Sequence, residues 1–159
     1  LQVLSQALTD FNAMRAREGA KLADDVRAKA GTIASLVTQV EQRSPETVAA
    51  YREKLRQRME EVLENTQIDE SRILTEAALF ADKVAVDEET VRLRSHLAQL
   101  EEMLQAEGPI GRKLDFLIQE FNREANTIGS KCSDLALSRV VVDLKGEIEK
   151  IREQVQNIE

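Results

Sequence analysis

Apolar residues recur at intervals of three and four along almost the whole chain, and this periodicity is the feature that most limits its fold. Only two prolines and six glycines interrupt a composition dominated by strong helix formers. No strand-like alternation of useful length occurs. The pattern predicts an all-α fold of long antiparallel helices forming a helical bundle or coiled-coil-like domain. In the first third of the chain the spacing is set by Leu4, Leu8, Phe11, Leu22, Val26, Ile33, Val37 and Val40.

One signal divides the first half of the chain. In the run Ser44-Pro45-Glu46-Thr47, an N-cap residue precedes a proline at a first helical position. This run predicts that one helix ends near Gln42 and that a second begins beside it and reaches about Asn65. Gly19 and Gly31 weaken the first of these helices without ending it.

The second half of the chain predicts three further helical runs, over residues 70–106, 112–128 and 135–157. Asp69 or Ser71 is expected to cap the first of them. Asp87-Glu88-Glu89 is expected to mark a fresh N-terminus inside it, because acidic residues favour a first helical turn. Glycines bracket the middle run, and Gly129-Ser130 is predicted to interrupt the helical pattern after residue 128.

Length and charge limit the classes of function. The 159 residues are enough for one domain with a real core, and the net charge of −7 argues against a general nucleic-acid coat. Residues 108–145 nevertheless carry six basic and five acidic residues, so a local anion-binding surface stays open. The single cysteine, Cys132, excludes an internal disulfide framework and is consistent with a reducing cytosol. No apolar run approaches the ~18 residues of a membrane span.

Polar residues on the predicted helix 112–128 form a narrow stripe beside its apolar face. Asp115, Gln119, Asn122 and Asn126 share one side of a helical wheel drawn at ~100° per residue. We expect the stripe to be half-buried, where amides need hydrogen-bond partners. Two interpretations stay open: a polar zipper that sets the register against another helix, or a wall that holds phosphates and ribose hydroxyls. The adjacent arc, predicted to face the core, holds Leu114, Leu117, Ile118, Phe121, Ala125 and Ile128.

A second polar stripe lies on the preceding helical run, where Glu89, Arg92 and His96 share a face. A lone histidine is usually structural, but its carboxylate and guanidinium neighbours favour metal or acid–base chemistry near neutral pH. Residues seven apart lie ~10.5 Å apart along a helix axis, so one helix cannot supply a complete site. A carboxylate from another helix is needed, and the candidates are Glu120, Glu124 and Asp115.

Other chemistries find little support in the sequence. No glycine-rich phosphate loop, Cys/His zinc spacing or nucleophile elbow occurs. Cys132 follows Lys131 near a helix end, which is compatible with a reactive thiol. A small residue in a turn is the simpler interpretation.

Several separated segments resemble the C-terminal domain of the YicC-like family of bacterial stress-induced endoribonucleases. They are GRKLDFLIQEFNREANTIGSK, the terminal IREQVQNIE, MRAREG and ADKVAVDEETVRLRSHL. The resemblance implies that residues 1–159 form a single helical domain, the C-terminal part of a longer protein whose N-terminal domain is absent here. It also implies a cytoplasmic endoribonuclease that depends on Mn²⁺ or Mg²⁺, acts on RNA as a ring-like homo-oligomer, expected to be a hexamer, and has no membrane partner.

The resemblance assigns roles to residues of the two polar stripes. It implies that the catalytic residues are Glu89, His96, Asp115 and Glu120. It implies that the metal ligands are Glu88, Glu89, His96, Glu120 and Glu124. RNA contacts fall on Arg92, Arg112, Lys113, Gln119, Asn122, Arg123, Asn126 and Lys131. Ala85 departs from the family pattern, in which an aspartate is common before the Glu-Glu pair, so a ligand at that position would be missing here.

Two other functions remain open from the sequence. In one, the domain is a structural or oligomerisation module whose polar stripes set helix registry. In the other, it is a non-catalytic RNA-binding adaptor that leaves the strand intact, with strongly salt-dependent binding.

Overall fold

The computed structural model describes residues 2–63, 69–106, 108 and 110–156, and within these ranges it contains five α-helices and no strand. The all-α prediction is confirmed. The helices are α1 (Gln2–Leu63), α2 (Glu70–Val84), α3 (Asp87–Gln105), α4 (Gly111–Lys131) and α5 (Leu135–Gln156).

The predicted break at Ser44-Pro45 is wrong, because α1 continues through Pro45. A proline removes one helical hydrogen bond and crowds the preceding turn, which costs ~3 kcal/mol when nothing compensates. Here the flanking turns are held from outside. Val40 is fully buried, and Thr47 donates a hydrogen bond to the Asp134 carboxylate at 2.8 Å. The end predicted near Asn65 lies outside the described residues.

The other predicted boundaries agree more closely with the structure. The run 70–106 is two helices, and α3 begins at Asp87 with Asp87, Glu88 and Glu89 in its first turn. Asp69 is the residue that caps α2, accepting a hydrogen bond from the Ser71 backbone at 3.0 Å. Gly129-Ser130 does not interrupt α4, which ends three residues beyond the prediction.

The middle of α1 packs against α3 and α5 in an antiparallel bundle that α4 completes. Arg27 contacts Glu101 at 3.1 Å, whereas Glu41, later in α1, contacts Arg94, earlier in α3, at 2.6 Å. These two pairs show that α1 and α3 run in opposite directions. No helix in the described ranges has both the length and the apolar character needed to cross a membrane.

The apolar arc predicted on α4 forms the centre of the core, as expected. Gly129 allows close packing with α5, since an added Cβ would lie 3.3 Å from the Val141 side chain. The largest fully buried side chains of the bundle are Ile33, Leu93, Leu100, Leu114, Ile118, Phe121, Ile128, Leu144, Ile148 and Ile151.

Asp134 caps the start of α5, and we expect its replacement with asparagine, which keeps a capping oxygen but removes the charge, to destabilise the domain by about 0.3–1 kcal/mol at pH 7. Its carboxylate accepts hydrogen bonds from the Leu137 backbone at 2.7 Å and from Thr47 at 2.8 Å. The Leu137 hydrogen bond is the main reason that the pKa of Asp134 lies below its ordinary value, with burial acting against it and Thr47 supporting it. A lowered folded-state pKa gives stability that is complete above the unfolded pKa of ~3.9 and is lost as the pH falls through the folded value.

Urea unfolding of Asp134→Asn and wild-type protein should therefore differ at pH 7 and converge only as the pH falls below ~3.9 and through the lower, folded-state pKa of Asp134. Asp143→Asn, which removes an exposed carboxylate from the same helix, is the control and should change little. A difference that does not shrink at all between about pH 5 and pH 2 would contradict this role for the Asp134 charge.

Candidate functional site

Three potential metal ligands meet between α3 and α4. Glu120 and Glu124 are four residues apart, which places both on one face of α4. His96 on α3 faces them, and one ligand atom from each of the three side chains lies within 4.8 Å of the other two. Glu124 is buried, and the other two are partly buried.

The His96 imidazole lies against the core with both ring nitrogens buried. Its ring meets the edge of Phe121, with centroids 5.6 Å apart and planes at 64°. Neither Nδ1 nor Nε2 makes a hydrogen bond to any described residue. Buried polar atoms without partners are rare and costly, so these nitrogens indicate a site that accommodates a further group.

A network of ion pairs continues from this cluster toward the start of α3. Glu89 contacts Lys131 of α4 at 2.9 Å and Arg92 at 3.2 Å. Arg92 also reaches Glu124 at 2.9 Å, so the guanidinium connects the two buried carboxylates. Burial alone would raise the pKa of Glu89, but the contacts with Lys131 and Arg92 outweigh it and hold the pKa below its ordinary value. Glu89 is therefore ionised at neutral pH.

The structure separates residues that the resemblance groups as metal ligands. Glu89 binds Lys131 and Arg92 and does not join the group formed by His96, Glu120 and Glu124. Glu88 is largely exposed and contacts only Arg92 among the described residues, at 3.3 Å. Glu88 and Glu89 thus share a contact with Arg92, which also reaches Glu124 of the His96 group, and their role as metal ligands stays a prediction.

The polar stripe of α4 lines an open groove on the other side of the helix. Its volume is about 690 Å³, and α5 contributes Arg152 and Gln156 to its wall. Asp115, Gln119 and Asn126 are exposed, and only Asn122 is half-buried, so the half-buried prediction is wrong for three of the four. None of the four makes a side-chain hydrogen bond with a described residue, and the inter-helix zipper therefore lacks the bonds that define it.

The predicted basic residues differ in their exposure and in how closely a carboxylate pairs with them. Arg112 and Lys113 are exposed at the start of α4. Arg123 is 75% exposed and only loosely paired with Glu120, at 3.8 Å. Lys131 and Arg92 are engaged with buried carboxylates, so these two cations also stabilise the packing of α3 on α4.

Two features of the site were missed from the sequence, the Arg92–Glu124 contact and the α5 wall of the groove. The sequence did contain a signal for the Arg92–Glu124 contact. In an antiparallel helical hairpin, residues at similar separations from the turn lie opposite each other, and His96 and Phe121, like Arg92 and Glu124, are nearly equidistant from Gly108. The sequence contained no signal for the α5 wall of the groove, because the rotation of α5 against α4 depends on packing.

The donor set suits a divalent transition metal. Imidazole and carboxylate together bind Mn²⁺, Fe²⁺ or Zn²⁺, and three protein ligands leave coordination positions for water and substrate oxygen. The two unpartnered ring nitrogens of His96 fit this use, since one nitrogen would serve as the ligand.

Cys132 is expected to be a poorly reactive thiol. Burial, followed by the nearby Asp134 charge, raises its pKa, and the Sγ atom lies 3.2 Å from the Ile128 carbonyl oxygen. Alkylation by iodoacetamide at pH 7.5, followed on the Cys132 peptide by mass spectrometry, should be several-fold slower than that of glutathione. Unfolding in urea should restore a normal rate. Rapid alkylation of the folded protein would contradict the burial argument.

Comparison with known proteins gives one consistent result. Residues 40–159 match the family described as "Endoribonuclease YicC-like, C-terminal". The chain is 46% identical over 159 residues to "Probable endoribonuclease YicC" of Clostridioides difficile (strain 630), covering 99% of this chain and 54% of that protein. It is 40% identical over 159 residues to the protein of the same name from Haemophilus influenzae, covering 100% of this chain and 55% of that protein.

The chain thus spans about half the length of these relatives. The match covers α2 to α5 and the later part of α1, which include both the His96 cluster and the polar groove. On this evidence the chain belongs to the YicC-like endoribonuclease family and corresponds to the C-terminal region of its members.

Proposed function

We propose that the full-length protein is a metal-dependent endoribonuclease and that the α3–α4 site holds its divalent cation, Mn²⁺ or Mg²⁺. The observation that carries the proposal is the convergence of His96, Glu120 and Glu124 within 4.8 Å, with both ring nitrogens of His96 unpartnered among the described residues. The names of the relatives support the reaction class, since both are called probable endoribonucleases.

The residues of the site have different proposed roles in the reaction. His96, Glu120 and Glu124 would bind the cation, which when bound supplies Lewis acidity to a phosphate oxygen and activates water. Arg92 and Lys131, beside the ligands, would stabilise negative charge on the phosphate. Glu89 orients these two cations through its contacts at 3.2 and 2.9 Å. Asp115 lines the groove and is not in the group that His96 forms with Glu120 and Glu124, so its catalytic role stays a prediction.

The groove of α4 and α5 is proposed as a second RNA contact. Gln119, Asn122 and Asn126 offer amide donors and acceptors that no described residue occupies, and such groups bind ribose hydroxyls and base edges. Arg123 lies on the outer face of α4 between the groove and the metal site, at a position suited to a phosphate. Arg112 and Lys113 extend the positive surface at the start of the helix. Binding at both places would hold one RNA strand across α4.

Replacing Arg123 with glutamine is expected to weaken binding of an uncleavable 2′-O-methyl RNA and to lower the salt slope of log K by about 1. Asn122→Ala should weaken binding with little change in that slope, because an amide releases no counter-ions. Arg94→Gln, which removes a cation paired with Glu41 on another surface, is the control. Fluorescence anisotropy across a salt series measures all three. Equal slopes for Arg123→Gln and wild type would exclude a phosphate contact at Arg123.

The proposal also includes RNA as the partner, a homo-oligomer, expected to be a hexamer, as the active form, and the cytoplasm as its location. The single cysteine is consistent with a reducing compartment.

The test is RNA cleavage by the full-length protein with Mn²⁺ or Mg²⁺, comparing His96→Ala with Glu89→Ala. We expect His96→Ala to lose both cleavage and Mn²⁺ affinity. Glu89→Ala should mainly lower stability, because its carboxylate compensates two cations. Full activity in folded, oligomeric His96→Ala protein would remove His96 from the mechanism. Loss of stability or of the oligomer before any loss of reaction would favour a structural module, and binding without cleavage in the wild type would favour an adaptor.

A further inference from the structure

Arg92 makes more ion pairs than any other side chain of the described site. Its Nε lies 2.9 Å from Glu124, and its two terminal nitrogens lie 3.2 Å from Glu89 and 3.3 Å from Glu88. The side chains of Glu89 and Glu124 are 5% exposed, whereas that of Arg92 is 43% exposed. One face of the guanidinium therefore contacts buried carboxylates while the other meets solvent.

Glu124 is the point where the ion-pair network and the metal-ligand cluster overlap. It contacts Arg92 and also belongs to the group with His96 and Glu120. The Arg92 contact is close but poorly directed, since the Nε–H is not aligned in a hydrogen bond with any acceptor. A stronger positive charge at the same carboxylate would compete with this contact.

A buried carboxylate needs a compensating charge, and Glu124 has two possible sources of one. The first is the guanidinium it contacts. The second is a divalent cation held with His96 and Glu120. Both at once would place two cationic groups beside one buried carboxylate, and like charges a few ångströms apart repel.

We propose that Arg92 is the exchangeable counter-ion of Glu124, released when a divalent cation binds His96, Glu120 and Glu124. This inference rests on the metal site of the proposed function. The release leaves Glu124 compensated by the cation, while Glu88 and Glu89 keep the guanidinium close by. Its solvent-facing side then meets a phosphodiester. Metal and phosphate binding are consequently coupled, and by linkage each strengthens the other.

The first test measures Mn²⁺ affinity of the full-length protein by isothermal titration calorimetry. Arg92→Met removes the competing charge and is expected to bind Mn²⁺ about tenfold more tightly than wild type, which is ~1.4 kcal/mol. Arg94→Met removes a guanidinium from the same helix that pairs with Glu41 of α1 and not with the cluster, and it should leave the affinity unchanged. Unchanged or weaker binding in Arg92→Met would overturn the inference, and weaker binding would show that Arg92 orients Glu124 for the metal.

A second test uses unmodified protein and so does not depend on the folding of a variant. Phenylglyoxal modifies accessible guanidinium groups, and mass spectrometry can follow Arg92 and Arg94 separately. Saturating Mn²⁺ should increase the modification rate of Arg92 several-fold and leave that of Arg94 unchanged. An unchanged Arg92 rate at saturation would overturn the inference.

The His96→Ala variant separates the two proposals. If it binds Mn²⁺ as tightly as wild type, the metal site itself is misplaced and the proposed function fails at that step. If it loses Mn²⁺ affinity while Arg92→Met gains none, the metal site stands and only the exchange of Arg92 is rejected.

Discussion

Replacing Glu124 with glutamine is expected to lower RNA cleavage by the full-length protein by ~100-fold or more. Loss of a residue that merely orients a metal ligand costs up to ~100-fold, so loss of a ligand should cost no less. Glutamine keeps the volume of the side chain and an oxygen that can accept from Arg92, but it removes the negative charge that would hold the cation. Arg92 retains its contacts with Glu88 and Glu89, and the fold should therefore persist.

Single-turnover cleavage and Mn²⁺ titration of the same samples measure this effect. Glu41→Gln is the matched control, since it also removes a carboxylate paired with an arginine of α3, but one that lies on α1 and outside the His96 group. Cleavage and Mn²⁺ affinity at wild-type levels in folded Glu124→Gln would exclude Glu124 as a ligand. A fall in stability with unchanged Mn²⁺ affinity would instead assign the residue to helix registry.

Replacing Phe121 with alanine is expected to destabilise the helical domain by ~3–5 kcal/mol. Phe121 is 1% exposed and fills the core between α3 and α4. Its ring also lies against His96, with centroids 5.6 Å apart, so the cavity would open beside the metal site. We therefore expect a loss of Mn²⁺ affinity in addition to the loss of stability, because the imidazole would no longer be held in one orientation.

The control for this substitution is Phe116→Ala on the same helix. Phe116 is 65% exposed, and the same atoms removed there should cost little free energy of unfolding. Urea unfolding followed by circular dichroism compares the two variants under one set of conditions. Equal losses of free energy of unfolding would mean that Phe116 is covered in the assembled protein. Its burial within one chain would then underestimate its contribution to stability.

Helical periodicity predicted the apolar face of α4, from Leu114 to Ile128, and the structure buries those residues. The acidic run Asp87-Glu88-Glu89 located the start of α3 at Asp87. These successes have a common reason: both the repeat of 3.6 residues and the preference of acidic side chains for a first turn act within one helix. The resemblance to the family likewise rests on contiguous segments of the sequence.

The failures all involve contacts between helices. Pro45 carries a local signal for a helix end, but the contacts of Val40 and Thr47 with the bundle oppose it. The α4 stripe borders the core on the wheel, yet α5 packs so as to leave an open groove beside it. The wheel gives the direction of a side chain from its own axis, whereas exposure depends on where the next helix lies.

The sequence by itself determined that the chain is helical, which side of α4 enters the core, and which family the chain resembles, because each is encoded in short-range spacing. Only the tertiary structure decided that His96 meets Glu120 and Glu124 while Glu89 meets Lys131. His96 and Glu89 lie on α3, whereas Glu120, Glu124 and Lys131 lie on α4, so a different rotation of α4 about its axis would separate these partners. The packing of Phe121 and its neighbours in the core sets that rotation, and with it the chemistry of the site.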